Sequence, residues 1–128
     1  VNEPINVGTG VLKLDTTNNL TVSGDLTAGL LDLDADNGAI TINNIIDTRA
    51  SGGAVNLDAG TGITVSATIN SAAVALTLNA GGGVTIGANI TSGSMDIDAV
   101  NNVTVNMKKH PTITSTSTIM QLTILSTI

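Results

Sequence analysis

From Val11 onward the chain is written in short runs that alternate apolar and polar positions, and the runs recur. Leu20-Thr21-Val22 returns as Ile40-Thr41-Ile42, Ile63-Thr64-Val65, Val84-Thr85-Ile86 and Val103-Thr104-Val105, at steps of 20, 23, 21 and 19 residues. A second motif follows each of the first four triplets: Leu31-Asp32-Leu33-Asp34-Ala35, Val55-Asn56-Leu57-Asp58-Ala59, Leu76-Thr77-Leu78-Asn79-Ala80 and Met95-Asp96-Ile97-Asp98-Ala99, with Leu12-Lys13-Leu14-Asp15 as an earlier member. Between the two motifs lies a shorter apolar point at Leu26, Ile46, Ile69 and Ile90. A period of two is the mark of a strand with one buried and one solvated face.

Three short strands per repeat, joined by corners rich in Gly, Asn and Ser, describe one triangular coil. A single coil cannot bury its inner face. Stacked at about 4.8 Å, each strand pairs in parallel with its copies in the coils on either side. The expected fold is therefore all-β, a triangular parallel β-solenoid of about five coils of 19–23 residues. Variation in coil length falls in the corners, as at Arg49-Ala50-Ser51-Gly52-Gly53, where an insertion bulges outward at little cost. An antiparallel sandwich of hairpins predicts two-residue turns and strands that complement one another. Here near-identical strands recur a whole repeat apart, which favours stacking. The load of Thr, Val, Gly and Asn excludes helix.

Composition sharpens this picture. There is no Phe, Trp, Tyr or Cys, yet 41% of residues are apolar, so the core is built from Val, Ile, Leu, Ala and a few Met. Small aliphatics suit a narrow, regular interior in which like side chains stack in columns. Charged residues are 11% of the chain and the net charge is −6. That surface neither attracts phosphates nor offers stacking platforms, which excludes a nucleic-acid partner. The apolar runs fall well short of a membrane span. Without Cys there are no disulfides, thiolate metal sites or Cys nucleophiles. The chain starts at Val1 without Met or a signal-peptide pattern, and reads as a processed product or a segment of something longer.

Stacking turns outward residues into columns. One face carries Thr21, Thr41, Thr64, Thr85 and Thr104. Solvated strand threonines are the plain reading. Ice binding is the sharper one, but it calls for two parallel Thr columns and this face has one. The second face carries Lys13, Asp32, Asn56, Thr77 and Asp96, then Asp15, Asp34, Asp58, Asn79 and Asp98. Those last side chains are expected to accept hydrogen bonds from turn amides. Asp32 to Gly38 superficially resembles a calcium loop, but its Gly comes one place late and Asn43 stands where a bidentate Glu is needed. Many long β-solenoids cleave polysaccharides, using paired carboxylates and aromatic sugar platforms. Here the basic residues are Lys13, Arg49, Lys108 and Lys109, none in register with a catalytic-looking acidic pair. His110, before Pro111, is expected to be solvated. No nucleophile triad, phosphate loop or zinc spacing can be assembled. The expectation is a protein that is not an enzyme, with no catalytic, cofactor-binding or metal-binding residue and no cofactor.

The unit of an I-T-V triplet, a short apolar point and then L-x-L-D-A or L-N-A resembles the repeats of filamentous-haemagglutinin-type exoproteins. These are large bacterial adhesins and contact-dependent toxins. The likeness runs from about Leu12 to Val105, with Gly83-Val84-Thr85-Ile86 and Val74 to Ala80 as its best instances. It implies a right-handed β-helix serving as an extracellular stalk, secreted or at the cell surface, and brings no catalytic residues with it.

Residues 1–107 read as solenoid repeats, with Val1 to Gly10, which holds Pro4, as a candidate blunt end. Residues 108–128 read as an atypical C-terminal coil, cap or assembly strand. Two functions follow. One is a stalk segment of an extracellular bacterial adhesin or exoprotein, whose host or cell-surface contacts lie in parts outside this chain. The other is a self-assembling protomer of an extracellular filament, joined through uncapped ends or the C-terminal strand. Ligand binding on a repetitive surface (ice, Ca²⁺ or glycan) comes third.

Overall fold

The computed structural model describes residues 1–49, 53–71, 75–107, 113–114 and 121–126. Among these the chain is all strand and turn, with no helix. It opens with β1 (Ile5–Asn6) and β2 (Val11–Thr16), and then repeats a set of three. The sets are β3 (Leu20–Val22), β4 (Leu26–Thr27) and β5 (Leu30–Ala35); β6 (Ile40–Ile42), β7 (Ile46–Asp47) and β8 (Val55–Ala59); β9 (Ile63–Val65), β10 (Ile69–Asn70) and β11 (Ala75–Ala80); and β12 (Val84–Ile86), β13 (Ile90–Thr91) and β14 (Ser94–Ala99). The last described strands are β15 (Asn102–Met107), β16 (Ile113–Thr114) and β17 (Gln121–Ser126).

Each strand pairs in parallel with its equivalent one coil away, so the chain winds through three sheets as a β-solenoid of about five turns. A narrow sheet has the order β1-β4-β7-β10-β13. An acidic sheet runs β16-β14-β11-β8-β5-β2, and a threonine sheet β17-β15-β12-β9-β6-β3. The register is the one the repeat predicts: Leu20 faces Ile40, Ile40 faces Ile63, Ile63 faces Val84 and Val84 faces Val103.

The inward columns make the core. Val22, Ile42, Val65, Ile86 and Val105 stack at 0% exposure. Leu31, Val55, Leu76 and Met95 form a second column, and Leu33, Leu57, Leu78 and Ile97 a third. Leu26, Ile46 and Ile69 close the triangle from the narrow sheet. Each fully buried Leu or Ile contributes roughly 1.5–3 kcal/mol relative to exposure, and the columns supply that burial without an aromatic. Corners stay tight where backbone meets backbone. A Cβ on Gly38 would fall on the backbone of Asn18 and Asn19, and one on Gly81 on the carbonyl oxygen of Gly60.

The long coil is lengthened at the corner between the narrow and acidic sheets. Residues 48–54 lie between β7 and β8, where only 28–29 separate β4 from β5. Buried Thr48 ties this loop down by donating its Oγ1 hydrogen to the Gly53 carbonyl at 2.8 Å. Ala50, Ser51 and Gly52 lie outside the described residues.

The first and last described strands follow the stack. Ile5 pairs with Leu26, and the Val1 carbonyl accepts from Ser23 N–H at 2.7 Å. The start thus adds rungs to the narrow and threonine sheets. Within 108–128, β16 pairs with β14, and β17 pairs with β15 over six residues, placing Thr123 beside Thr104.

Candidate functional surfaces

Parallel in-register pairing gives each sheet an outer face of straight columns. On the threonine sheet, Thr21, Thr41, Thr64, Thr85 and Thr104 are consecutive partners, exposed or half-buried. Positions two residues to either side carry Asn, Ala, Gly or Ser, so this face has small polar side chains and no charge. It presents one Thr column, as the spacing predicts.

The acidic sheet differs. Lys13, Asp32, Asn56, Thr77 and Asp96 are partners in one outward column, and Asp15, Asp34, Asp58, Asn79 and Asp98 in the next. Lys13 Nζ donates to Asp32 Oδ2 at 2.9 Å, and this bond with the attraction of the same carboxylate raises the lysine pKa. Asn79 Nδ2 donates to Asp58 Oδ1 at 3.2 Å, so the amide relieves the column where it replaces a carboxylate.

The expected bonds from turn amides to this Asp column are made by other residues. Gly8 N–H donates to Asn6 Oδ1 at 2.8 Å, Arg49 N–H to Asp47 Oδ1 at 2.9 Å, and Ala39 N–H to Asn19 Oδ1 at 2.9 Å. The reason is geometric. Asp15 and Asp34 lie within extended strands, whereas Asn6 and Asp47 stand at strand ends where the chain turns.

The segment from Asp32 to Gly38 is not wrapped as a calcium loop. Through Ala35 it is strand, with Leu33 and Ala35 inward and Asp32 and Asp34 outward. Stacking instead brings Asp15, Asp34 and Asp36 together, with one carboxylate oxygen of each within 4.8 Å of the others. In sequence Asp15 and Asp34 share a column, and Asp36 enters only as a member of the Asp32 to Gly38 stretch. Its signal was the turn position just after the strand. Burial raises the Asp34 pKa most, followed by the negative charges of Asp36, Asp58 and Asp15, while Lys13 opposes them. Without a cation this cluster is a local repulsion.

On the narrow sheet, Arg49 Nη2 lies 2.6 Å from Asp47 Oδ2, and this side-chain bond holds the Asp47 carboxyl below the usual carboxylate range. Both described basic side chains, Lys13 and Arg49, are thus bonded to aspartates. Lys108, Lys109 and His110 lie outside the described residues. No helix among the described residues is long and apolar enough to cross a membrane.

Comparison with family models, with curated proteins and with solved structures finds no match to this chain. The likeness to filamentous-haemagglutinin-type repeats therefore rests on the repeat residues themselves.

Proposed function

We propose that the chain is a structural rod, a stalk segment of an extracellular bacterial adhesin or exoprotein, and that it carries no catalysis of its own. The supporting observation is the unbroken register. Each coil pairs with the next through equivalent residues, so one unit repeated adds length without a new interface. Small polar residues dominate the threonine face, and the two described cations are engaged with neighbouring carboxylates. Such a body holds distance and leaves recognition to other parts. The test is antibody labelling of intact bacteria that produce this sequence, with permeabilised cells as the control. Labelling of intact cells is expected. Labelling only after permeabilisation overturns the extracellular stalk.

A further inference from the structure

One corner of the solenoid differs from its equivalents. The connections from the acidic sheet to the threonine sheet run 17–19, 60–62 and 81–83, but 36–39 between β5 and β6, one residue longer. The extra length is bulged out of the ladder. Gly60 N–H donates to the Ala35 carbonyl at 2.9 Å and Thr61 N–H to the Gly38 carbonyl at 3.0 Å, so the next coil steps over Asp36 and Asn37. These two are exposed, and Gly38 N–H closes the turn on the Ala35 carbonyl at 3.2 Å.

This bulge holds the one Asn-Gly pair in the sequence, Asn37-Gly38. Such a pair has a chemistry of its own. The glycine backbone nitrogen attacks the side-chain carbonyl carbon of the asparagine, and the new C–N bond closes a succinimide ring. The side-chain amide nitrogen leaves as ammonia, taking up the proton lost by the glycine nitrogen. Water then opens the ring at either carbonyl and leaves aspartate or isoaspartate, so the balance is one water consumed and one ammonia released. Glycine favours the attack because it has no side chain in the way and adopts most backbone conformations. Every other Asn precedes a residue with a side chain, as at Asn19-Leu20, Asn44-Ile45, Asn89-Ile90 and Asn102-Val103.

The fold restrains this reaction. Before it attacks, the Gly38 nitrogen must give up its bond to Ala35. Gly38 is buried against the backbone of Asn18 and Asn19, which leaves its peptide little room to turn. Its carbonyl is held by Thr61 from the next coil, and Asn37 N–H is held by the Thr17 carbonyl of the previous coil at 3.1 Å. The reacting pair is thus clamped from both sides.

We propose that Asn37 is a site of spontaneous deamidation that the neighbouring coils hold closed, so that conversion proceeds through opening of this corner. The inference stands apart from the stalk reading. Either product disturbs the stack once formed. Aspartate adds a negative charge next to Asp36, where Asp15, Asp34 and Asp36 already lie together. Isoaspartate adds that charge and also threads an extra methylene into the backbone, so the lengthened turn no longer meets Thr17, Ala35 and Thr61 at once.

The test ages the full chain in warm, mildly alkaline buffer, folded and in urea, with circular dichroism confirming each state. Each asparagine is followed by peptide mapping and mass spectrometry; trypsin cuts after Lys13 and Arg49, which releases Asn37 in one peptide. In urea, Asn37 is expected to convert first, to both products. In the folded chain it should convert at least about tenfold more slowly, because the bonds of the corner must open beforehand. Asn37→Gln, whose longer side chain closes a ring less readily, should abolish the early conversion in urea and melt like the parent. Isoaspartate-bearing chain, purified from the urea sample and refolded, should melt below Asn37→Asp, which carries the charge without the extra methylene. Equal rates in the folded and unfolded chain would overturn the clamp. A different asparagine converting first in urea would overturn the site, and an isoaspartate chain melting with Asn37→Asp would overturn the cost assigned to the lengthened turn.

Discussion

The acidic and threonine sheets are built by one rule and end with different outsides. Both have six strands in parallel register over columns of Leu, Ile, Val and Met. Outside, the threonine sheet repeats one residue through five consecutive coils. The acidic sheet never does: Lys13 heads one column, Asn56 and Thr77 sit within it, and Asn79 breaks the other. Stacking sets each outward side chain about 4.8 Å from its own copy. A neutral hydroxyl tolerates that neighbour indefinitely. A carboxylate does not, because like charges directly opposite on adjacent strands destabilise the pair. The acidic column still stacks Asp15, Asp34 and Asp58 in consecutive coils before Asn79 breaks it, so like charge weakens such a column without forbidding it.

The largest effect should erase the difference between the faces, because it acts on the interior they share. Leu76→Asp in the acidic sheet and Ile86→Asp in the threonine sheet each place a lone carboxylate in a dry column. Each is expected to cost more than about 4 kcal/mol, of the order of the whole stability of a small domain. Thermal melting followed by circular dichroism reads this directly. A native melting curve for either variant would mean that the inward register is wrong.

A middle-sized effect comes from imposing the acidic pattern on the neutral face. Changing Thr41, Thr64 and Thr85 together to Asp stacks three carboxylates on adjacent strands, with a summed cost of about 1–2 kcal/mol. Much of that loss should return in 1 M salt, where the screening length falls to about 3 Å. The matching triple change to Asn has no charge to repel and should show no salt-dependent loss. If the Asp triple melts like the parent at low salt, self-compatibility is not what keeps this column neutral.

How much of this was legible in the sequence follows from how the signals are carried. The Leu20 to Val103 triplets and the motifs after them repeat side chain for side chain, so strand register and the inward and outward columns could be read directly. The ends could not. Ile5-Asn6 is a two-residue strand with Pro4 before it, and its membership shows only through pairing with Leu26 and Thr27. Leu122-Thr123-Ile124 comes 19 residues after Val103-Thr104-Val105, but the stretch between lacks the L-x-L-D-A motif and its Gly and Asn corners. Asp36 stands in the Asp32 to Gly38 stretch, but its place beside Asp15 is hidden for another reason. Period two places residues on strands, and a turn residue belongs to no column until the chain is folded.

A smaller effect separates the faces by pH. The Asp34 carboxyl is raised, so between the ordinary value of 3.8 and its raised value the folded chain binds a proton that the unfolded chain does not. Stability from this group therefore rises as the pH falls through that window. Asp47 has the opposite sign. Its pKa lies below 3.8, so its contribution is present above 3.8 and is lost as the pH falls through the lowered value. Denaturant midpoints should thus show a slight rise on mild acidification before the loss, and Asp34→Asn should remove the rise while keeping the loss. A monotonic decline from neutral pH in the parent would show that the Asp34 repulsion does not reach stability.

The smallest effect is expected on the face that looks most regular. Thr64→Ser and Thr85→Ser keep the outward hydroxyl and remove one exposed methyl. What is lost is the χ1 restriction of a β-branched residue, which favours a strand only modestly. A Ser opposite a Thr still makes a cross-strand hydroxyl pair, so each change should stay within about 0.5 kcal/mol. A loss several times larger, read from the same melts, would mean that the Thr methyls pack against something, most directly a partner on that face. The regularity of the column would then reflect a contact. A near-silent result leaves the simpler account, in which Thr recurs because it fits a strand and does not object to its own copy.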